Sequence, residues 1–122
     1  MHVAEISSST RRRAPLSNGL IAQPLTSPDV SDQLAVVHLE LSAGGALPEH
    51  DHGASQIVLI PLSGSVELCH DGAMRTLSAG SAAHIATGER VSLVNPGTEP
   101  ASLMVVASPP EFVGQLASWP VV

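Results

Sequence analysis

Two histidines separated by a single residue are the feature of this sequence with the clearest chemical potential. They stand in the segment His50-Asp51-His52. Because residues two apart in an extended strand point to the same face, both imidazoles are expected on one side of the chain. Neutral imidazole is a common ligand of transition metals. The spacing therefore makes His50 and His52 candidate metal ligands, provided that a third and a fourth ligand arrive from elsewhere.

Two further side chains are candidates to complete such a site. Gln56 follows His52 by four residues and offers an amide oxygen, and His84 stands on a later predicted strand. A metal held by these side chains would be a divalent transition metal, with zinc, nickel, copper, iron and manganese all open. The alternatives are an empty site and, for His84, a core or surface histidine bonded to a backbone carbonyl.

The other chemically active side chains have simpler interpretations. His38 lies in an apolar segment and is predicted to be a buried histidine with satisfied hydrogen bonds, and His70 is predicted to be exposed at a turn. Glu49 and Asp51 alternate with the histidine pair, so they should point away from it and form a solvated rim or orient an imidazole. Cys69 has no visible base or cationic neighbour, which predicts an inert thiol.

Short strands separated by glycine and proline are the elements that must position these side chains. Segments rich in β-branched and apolar residues predict the following strands: 33–41, 56–62, 65–69, 73–77, 81–86, 90–94 and 101–107. Glycines recur every eight or nine residues from Gly64 to Gly97, which is typical of a sandwich or barrel. One short helix is predicted at the C-terminus, with Ser108 as its N-cap and apolar residues at helical spacing up to Trp119.

Length and composition predict one compact domain. The chain has 122 residues, of which 43% are hydrophobic, enough for a single core. Residues 1–19 contain chain breakers and three consecutive arginines, so they are predicted to form a flexible arm before a domain of residues 20–122. A net charge of −6 argues against nucleic acid or an anionic membrane as a partner. No membrane span and no secretory signal are visible, so a cytoplasmic protein is expected.

Residues 44–64 resemble the first motif of the cupin family, in which a glycine, a His-x-His pair, a glutamate and a second glycine follow at set spacing. Gly44, His50, His52 and Gly64 are in register with that motif.

The glutamate of this first motif is missing. Counting forward from His52 puts Gln56 in its place, whereas counting back from Gly64 puts Ile57 there. One extra residue lies between the two counts, and Pro61 marks a point where a strand could absorb it as a bulge. Both assignments stay open at the level of the sequence.

Residues 80–95 resemble the second cupin motif. Gly80, Gly88 and Asn95 match it, but Val91 stands where the family has a histidine ligand. The chain therefore keeps two of the four expected ligands. The loss of a carboxylate leaves the full charge of a bound ion uncompensated, which lowers both affinity and selectivity for a metal.

The resemblance implies an all-β fold, a small cupin-type double-stranded antiparallel β-barrel of jelly-roll form with a site inside its mouth. One functional hypothesis is metal-dependent chemistry on a small molecule, of the dioxygenase or isomerase type. The alternative is a non-catalytic module that binds or senses a small ligand after losing its metal, and metal-free catalysis by a histidine is a third possibility. A homodimer is also expected, with residues 20–30 as a candidate for strand exchange.

Overall fold

The computed structural model describes the whole chain, residues 1–122. Its nine strands are β1 (Arg12–Arg13), β2 (Asn18–Pro24), β3 (Ala35–His50), β4 (Gln56–Ser63), β5 (Ser65–His70), β6 (Ala73–Ser78), β7 (Ala83–Ile85), β8 (Val91–Val94) and β9 (Ala101–Ser108). Two 3-10 helices, Ile6–Ser8 and Glu111–Ser118, complete the secondary structure. Neither helix is long and apolar enough to cross a membrane.

The strands form one antiparallel sheet that curls into a nearly closed barrel, as the all-β prediction requires. The order of strands is β6-β5-β8-β3-β9-β4-β7, and β2 pairs with β3. The long strand β3 links two parts of the sheet, because its first half pairs with β9 and its second half pairs with β8. Nineteen buried apolar residues form one continuous core, so the strands share a single interior.

The hairpin between β5 and β6 turns where the sequence predicts it. Asp71 and Gly72 occupy the two turn positions, and both have positive φ angles, 49° and 76°. This is the backbone that a two-residue hairpin turn requires, and an Asp-Gly pair adopts it readily. The register of the hairpin then aligns His70 with Ala73.

The boundary predicted at residue 19 falls inside strand β2. Part of the predicted arm also lies on the barrel, because Arg12 pairs with Ala22 of β2 and forms a bridge with Val121. Ala14 is only 4% exposed and belongs to the core. Polar composition alone did not reveal these contacts, because they are made mainly by backbone groups. The mobility of the first residues stays a prediction.

The C-terminal helix is present, but it is a 3-10 helix that begins at Glu111, and the predicted N-cap is wrong. Ser108 is the last residue of β9, and its hydroxyl donates a hydrogen bond to the carbonyl of Gln33. The helix buries Val113 and Leu116 against the barrel. The guanidinium of Arg12 donates hydrogen bonds to two carbonyls at the end of this helix, which holds it across one end of the barrel.

Candidate ligand site at the mouth of the barrel

The barrel encloses a cavity of about 680 Å³. The cavity opens at the end of the barrel where the C-terminal helix lies and forms part of the rim. Its wall is formed mainly by aliphatic side chains on the inward-facing positions of the strands: Leu20, Val37, Leu39, Leu47, Ile57, Leu59, Leu68, Ile85, Val91, Leu93 and Val105. The polar groups among its lining residues come from the end of β3, the loop after it and the C-terminal helix. The cavity therefore offers an apolar interior and a polar mouth, the usual composition of a small-molecule site.

His50 and His52 meet at this mouth, as their alternation predicts. Their Nε2 atoms are 3.1 Å apart, and the Nδ1 atom of His50 lies 2.8 Å from the carbonyl oxygen of Pro48. A carbonyl only accepts hydrogen bonds, so Nδ1 of His50 carries the proton. In the neutral pair, Nε2 of His50 then accepts a hydrogen bond from Nε2–H of His52. The Nδ1 atom of His52 is left as an acceptor without a partner in the protein.

Burial makes His52 a weak base. Its pKa is lowered to about 4, chiefly because burial disfavours the charged ring and also because His50 lies beside it; Asp51 acts in the opposite direction. The ring of Phe112, on the C-terminal helix, packs edge-on against His52 with centroids 5.3 Å apart. At neutral pH the imidazole of His52 is therefore an uncharged hydrogen-bonding group on an apolar support.

The outward-facing residues of the same loop fix its position. Arg90 lies 2.9 Å from a carboxylate oxygen of Glu49 and 3.2 Å from one of Asp51, so one guanidinium binds the residues that alternate with the histidines. The buried hydroxyl of Ser55 donates to the carbonyl of Pro109, which ties the loop to the segment before the C-terminal helix. Glu49 and Asp51 thus form the charged rim that the alternation predicts.

The structure does not bring Gln56 and His84 to the histidine pair. Both side chains lie on the outer face of the barrel, where Nε2–H of His84 donates to the amide oxygen of Gln56 over 2.9 Å. The inward-facing neighbour is Ile57, which is 2% exposed and lines the cavity. A strand alternates its faces, so only one of the two neighbours Gln56 and Ile57 can point inward. The structure therefore places Gln56 and His84 together on the outer face, away from His50 and His52.

Val91, which stands where the second cupin motif has a histidine, lies next to the pair. It is directly opposite His50 in the pairing of β3 with β8, is 3% exposed and lines the cavity. The register shift in β4 lies between Pro61 and Ser63, near the residue where the sequence predicts a bulge. Ile57 and Val91, which face the cavity where the family motifs would have ligands, thus carry only hydrocarbon.

His70 lies outside the cavity, partly exposed at the end of β5. Its Nδ1–H donates to the carbonyl of Arg90 over 2.9 Å, and its Nε2 is 3.0 Å from a carboxylate oxygen of Glu89. The hydrogen bond to the Arg90 carbonyl, together with the charges of Asp71 and Glu89, raises the pKa of His70. This cluster links the β5–β6 turn to the segment that carries Arg90.

His38 is buried on the outer face of β3, as predicted, and every polar atom of its ring has a partner. Nδ1 lies 3.0 Å from the amide oxygen of Gln23, and Nε2 lies 2.6 Å from the hydroxyl of Ser102. The amide nitrogen of Gln23 donates to the carbonyls of Ile6 and Ser9, so the N-terminal segment covers this network. Burial lowers the pKa of His38.

Comparison with known proteins identifies the fold family. The cupin domain model matches residues 37–107, more than half of the chain. The chain belongs to the cupin family. Its cupin barrel is similar to the polyketide cyclase RemF from Streptomyces resistomycificus, with 24% identity, 88% of this chain and 79% of that one covered, and a TM-score of 0.79.

Two other cupin structures show the same fold. A Cupin 2 conserved barrel domain protein from Salinispora arenicola is 25% identical over 97% of both chains, with a TM-score of 0.73. An RmlC-like cupin from Shewanella frigidimarina is 20% identical over 89% of this chain and 91% of that one, with a TM-score of 0.75. The comparison with curated proteins gives no match.

The donor set of this cupin does not fit a resident metal. Only two imidazoles converge, and no group of three or more histidine, cysteine or acidic side chains is arranged to hold an ion. The carboxylates nearest in sequence, Glu49 and Asp51, are paired with Arg90 at the rim of the mouth. A divalent ion would keep its full charge beside two hydrocarbon side chains, Ile57 and Val91, which is unfavourable.

The contribution of the C-terminal helix to the cupin mouth was missed by sequence reasoning. Glu111, Phe112, Gln115 and Trp119 line the cavity together with the loop at Leu16. The apolar spacing of this helix indicated only that it closes one side of the barrel. The sequence signal for these contacts is that the only two aromatic residues of the chain, Phe112 and Trp119, both belong to this C-terminal segment.

Proposed function

We propose that this cupin binds a small hydrophobic molecule inside its barrel without a resident metal. The observation that carries the proposal is the cavity of about 680 Å³, which Ile57 and Val91 line together with the histidine pair. This volume lies within the range of about 300–1,000 Å³ that is typical of small-molecule sites. Aliphatic walls favour a ligand whose buried part is hydrocarbon, because each buried methylene contributes about 0.8 kcal/mol.

The histidine pair provides the polar contact of the proposed site. In the neutral arrangement, Nδ1 of His52 is an acceptor at the mouth of an apolar cavity and has no protein partner. A hydroxyl or N–H group on the ligand would satisfy this nitrogen, and the hydrogen bond from His52 to His50 would hold the ring in the required tautomer. The proposed ligand therefore has an apolar body and one hydrogen-bond donor at its exposed end.

Titration with a neutral fluorescent probe tests the proposal. N-phenyl-1-naphthylamine is uncharged, has one N–H donor and becomes brighter in an apolar environment. We expect saturable binding to the wild type with one site per chain. Leu39→Phe adds bulk to a half-buried side chain of the cavity wall and should weaken binding at least tenfold. Val36→Phe adds the same kind of bulk on the outer face of the same strand and should leave binding unchanged.

Elemental analysis of the protein purified without chelators tests the metal-free part of the proposal. We expect less than one tenth of an equivalent of metal, and the same probe affinity before and after treatment with a chelator. A stoichiometric metal that disappears in the His50→Ala/His52→Ala variant would overturn this part and restore metal-dependent chemistry. Absence of probe binding, or equal loss in Leu39→Phe and Val36→Phe, would overturn ligand binding in the cavity.

The names of similar structures add little to the choice of ligand. One is a polyketide cyclase, but an identity of 24% shows a shared fold only.

We also propose a homodimer for this chain. Strand β2 pairs with β3 and β1 of its own chain. Exchange of residues 20–30 between two copies would replace these pairs by the same pairs between two chains. Light scattering measures the oligomeric state directly, and a single monomeric species would contradict the dimer.

A further inference from the structure

The charged residues that line the cavity are all acidic. Glu49, Asp51 and Glu111 are among its lining residues, and no arginine or lysine is. The chain has five basic residues, all arginines, so few cations exist that could approach the mouth. An apolar cavity with an acidic mouth treats ligands of opposite charge differently.

The arginine nearest the mouth is already engaged. Arg90 binds both Glu49 and Asp51, so one positive charge offsets two negative charges and leaves a net charge of −1 on this side. Two other arginines are also occupied: Arg12 donates to carbonyls at the end of the C-terminal helix, and Arg11 pairs with Glu40. None of these guanidinium groups is free to bind a ligand carboxylate at the mouth.

Glu111 is the acidic residue of the mouth that has no cationic side chain as a partner. It is exposed on the first turn of the C-terminal helix, lines the cavity and forms no salt bridge. The amino end of a helix attracts negative charge, but here Glu111 itself already occupies it. The histidine pair offers no free donor to a ligand carboxylate, because Nδ1–H of His50 already donates to the carbonyl of Pro48.

We infer that the cavity selects uncharged or cationic hydrophobic ligands and rejects anionic ones, with Glu111 as the main determinant. This inference rests on the proposed function and deepens it by naming the ligand class. Alcohols, phenols, amides and amines with an apolar body fit the site. Carboxylates and phosphates of the same size do not, because their charge would lie at the mouth beside Glu111 with no counter-charge.

Three probes of nearly equal shape separate the effect of charge from that of size. They are 1-naphthylmethanol, 1-naphthylmethylamine and 1-naphthoate, which carry charges of 0, +1 and −1 at pH 7.5. Dissociation constants come from isothermal titration calorimetry at low ionic strength. We expect 1-naphthoate to bind roughly tenfold more weakly than the alcohol, with a gap that narrows as salt screens the mouth. The amine should bind at least as tightly as the alcohol.

A charge reversal with a matched control locates the effect. Glu111→Lys should bring 1-naphthoate to the affinity of the alcohol or beyond it. Glu99→Lys makes the same change in net charge at an exposed position that does not line the cavity, and it should leave the order of affinities unchanged. Both positions are exposed, so neither substitution disturbs the core.

Each outcome separates this inference from the proposed function. Equal affinity for the alcohol and 1-naphthoate in the wild type would overturn the inference and leave ligand binding intact. An amine as weak as 1-naphthoate would also overturn it, because the site would then reject charge of either sign. The same holds if Glu99→Lys acts as Glu111→Lys does, since the overall charge would then be the cause. Failure of all three probes to bind would instead contradict the proposed function itself.

Discussion

Two histidines of this protein share a lowered pKa but have opposite surroundings. His38, on the outer face of β3, bonds to Gln23 through one nitrogen and to Ser102 through the other, and the N-terminal segment covers it. His52, at the mouth of the cavity, bonds to His50 through one nitrogen and leaves the other free. Burial lowers the pKa of both rings, so a shifted pKa alone does not identify a functional histidine.

The difference between the two lies in hydrogen-bond capacity. A ring with both nitrogens satisfied by the protein has nothing to offer a ligand, and its network contributes to stability. A ring with one free nitrogen beside a cavity contributes little to stability and can bind. The comparison therefore predicts that substitutions at the two positions affect different measurements.

The largest effect is expected from the buried network. His38→Ala removes a buried ring and leaves Gln23 and Ser102 without a partner, so it should lower the free energy of unfolding by about 3 kcal/mol. His52→Ala, at the mouth, should cost less than about 1 kcal/mol but weaken binding of N-phenyl-1-naphthylamine. Urea unfolding and fluorescence titration of both variants check this. If His52→Ala costs more stability than His38→Ala, the comparison is reversed.

Two added ligands should convert the mouth of the barrel into a metal site. Ile57→Glu/Val91→His supplies a carboxylate and an imidazole at the two inward positions beside His50 and His52. We expect affinity for zinc or nickel to rise at least about a hundredfold, because four ligands and one negative charge then converge. Dialysis against a competing chelator followed by elemental analysis measures the change.

A matched variant makes that test specific. Gln56→Glu/Val91→His carries the same added groups, but the carboxylate lies on the outer face, so it should gain much less affinity. A metal held equally well by both double variants would mean that Ile57 does not occupy the position of the missing carboxylate. The stability of Ile57→Glu without metal should fall, since a buried acid is costly.

Such pairs of neighbours explain what the sequence could and could not predict. The barrel was predictable because glycine spacing, alternating apolar strands and the cupin motifs all favour it. The His50 and His52 contact followed from alternation, which holds over two residues. The choice between Gln56 and Ile57 did not follow, because a shift of one residue exchanges the two faces of a strand. The observed burial of Ile57 in the cavity wall and the exposure of Gln56 decide it.

The cavity itself was beyond prediction for a different reason. Its size depends on how completely side chains from many strands fill the barrel, and residues far apart in sequence, such as Leu20 and Trp119, line it together. The covering of His38 by the N-terminal segment also depends on such contacts, since Gln23 donates to carbonyls rather than to side chains. Backbone acceptors have no signature in a sequence.

Acid should destabilise the fold by a moderate amount. The unfolded chain binds a proton on each histidine near pH 6.5, whereas folded His52 does so only near pH 4, and the pKa of folded His38 is also lowered. The contribution of these two rings to stability is therefore complete above about pH 6.5 and declines as the pH falls toward 4, by at most about 1.4 kcal/mol per pH unit for each group. Chemical unfolding between pH 7.5 and 4.5 measures this slope.

Variants assign the slope to the two rings. His52→Asn should flatten the decline between pH 6.5 and 4 relative to the wild type, because the proton taken up only by the unfolded chain is removed. His70 acts in the opposite direction, since its pKa is raised, so the comparison is made between each variant and the wild type rather than from the total slope. An unchanged slope in His52→Asn would contradict the assignment of a buried, neutral ring.

The smallest effect is expected on the outer face opposite the cavity. His84→Ala removes an exposed hydrogen bond to Gln56, so it should change the free energy of unfolding by less than about 0.5 kcal/mol and leave probe binding as it is. This substitution is informative because His84 was predicted from the sequence to join His50 and His52. A clear loss of probe affinity in His84→Ala would require His84 and Gln56 to face inward. Since one register shift exchanges both faces of β4, that result would also move Ile57 out of the cavity and remove the basis for an apolar site.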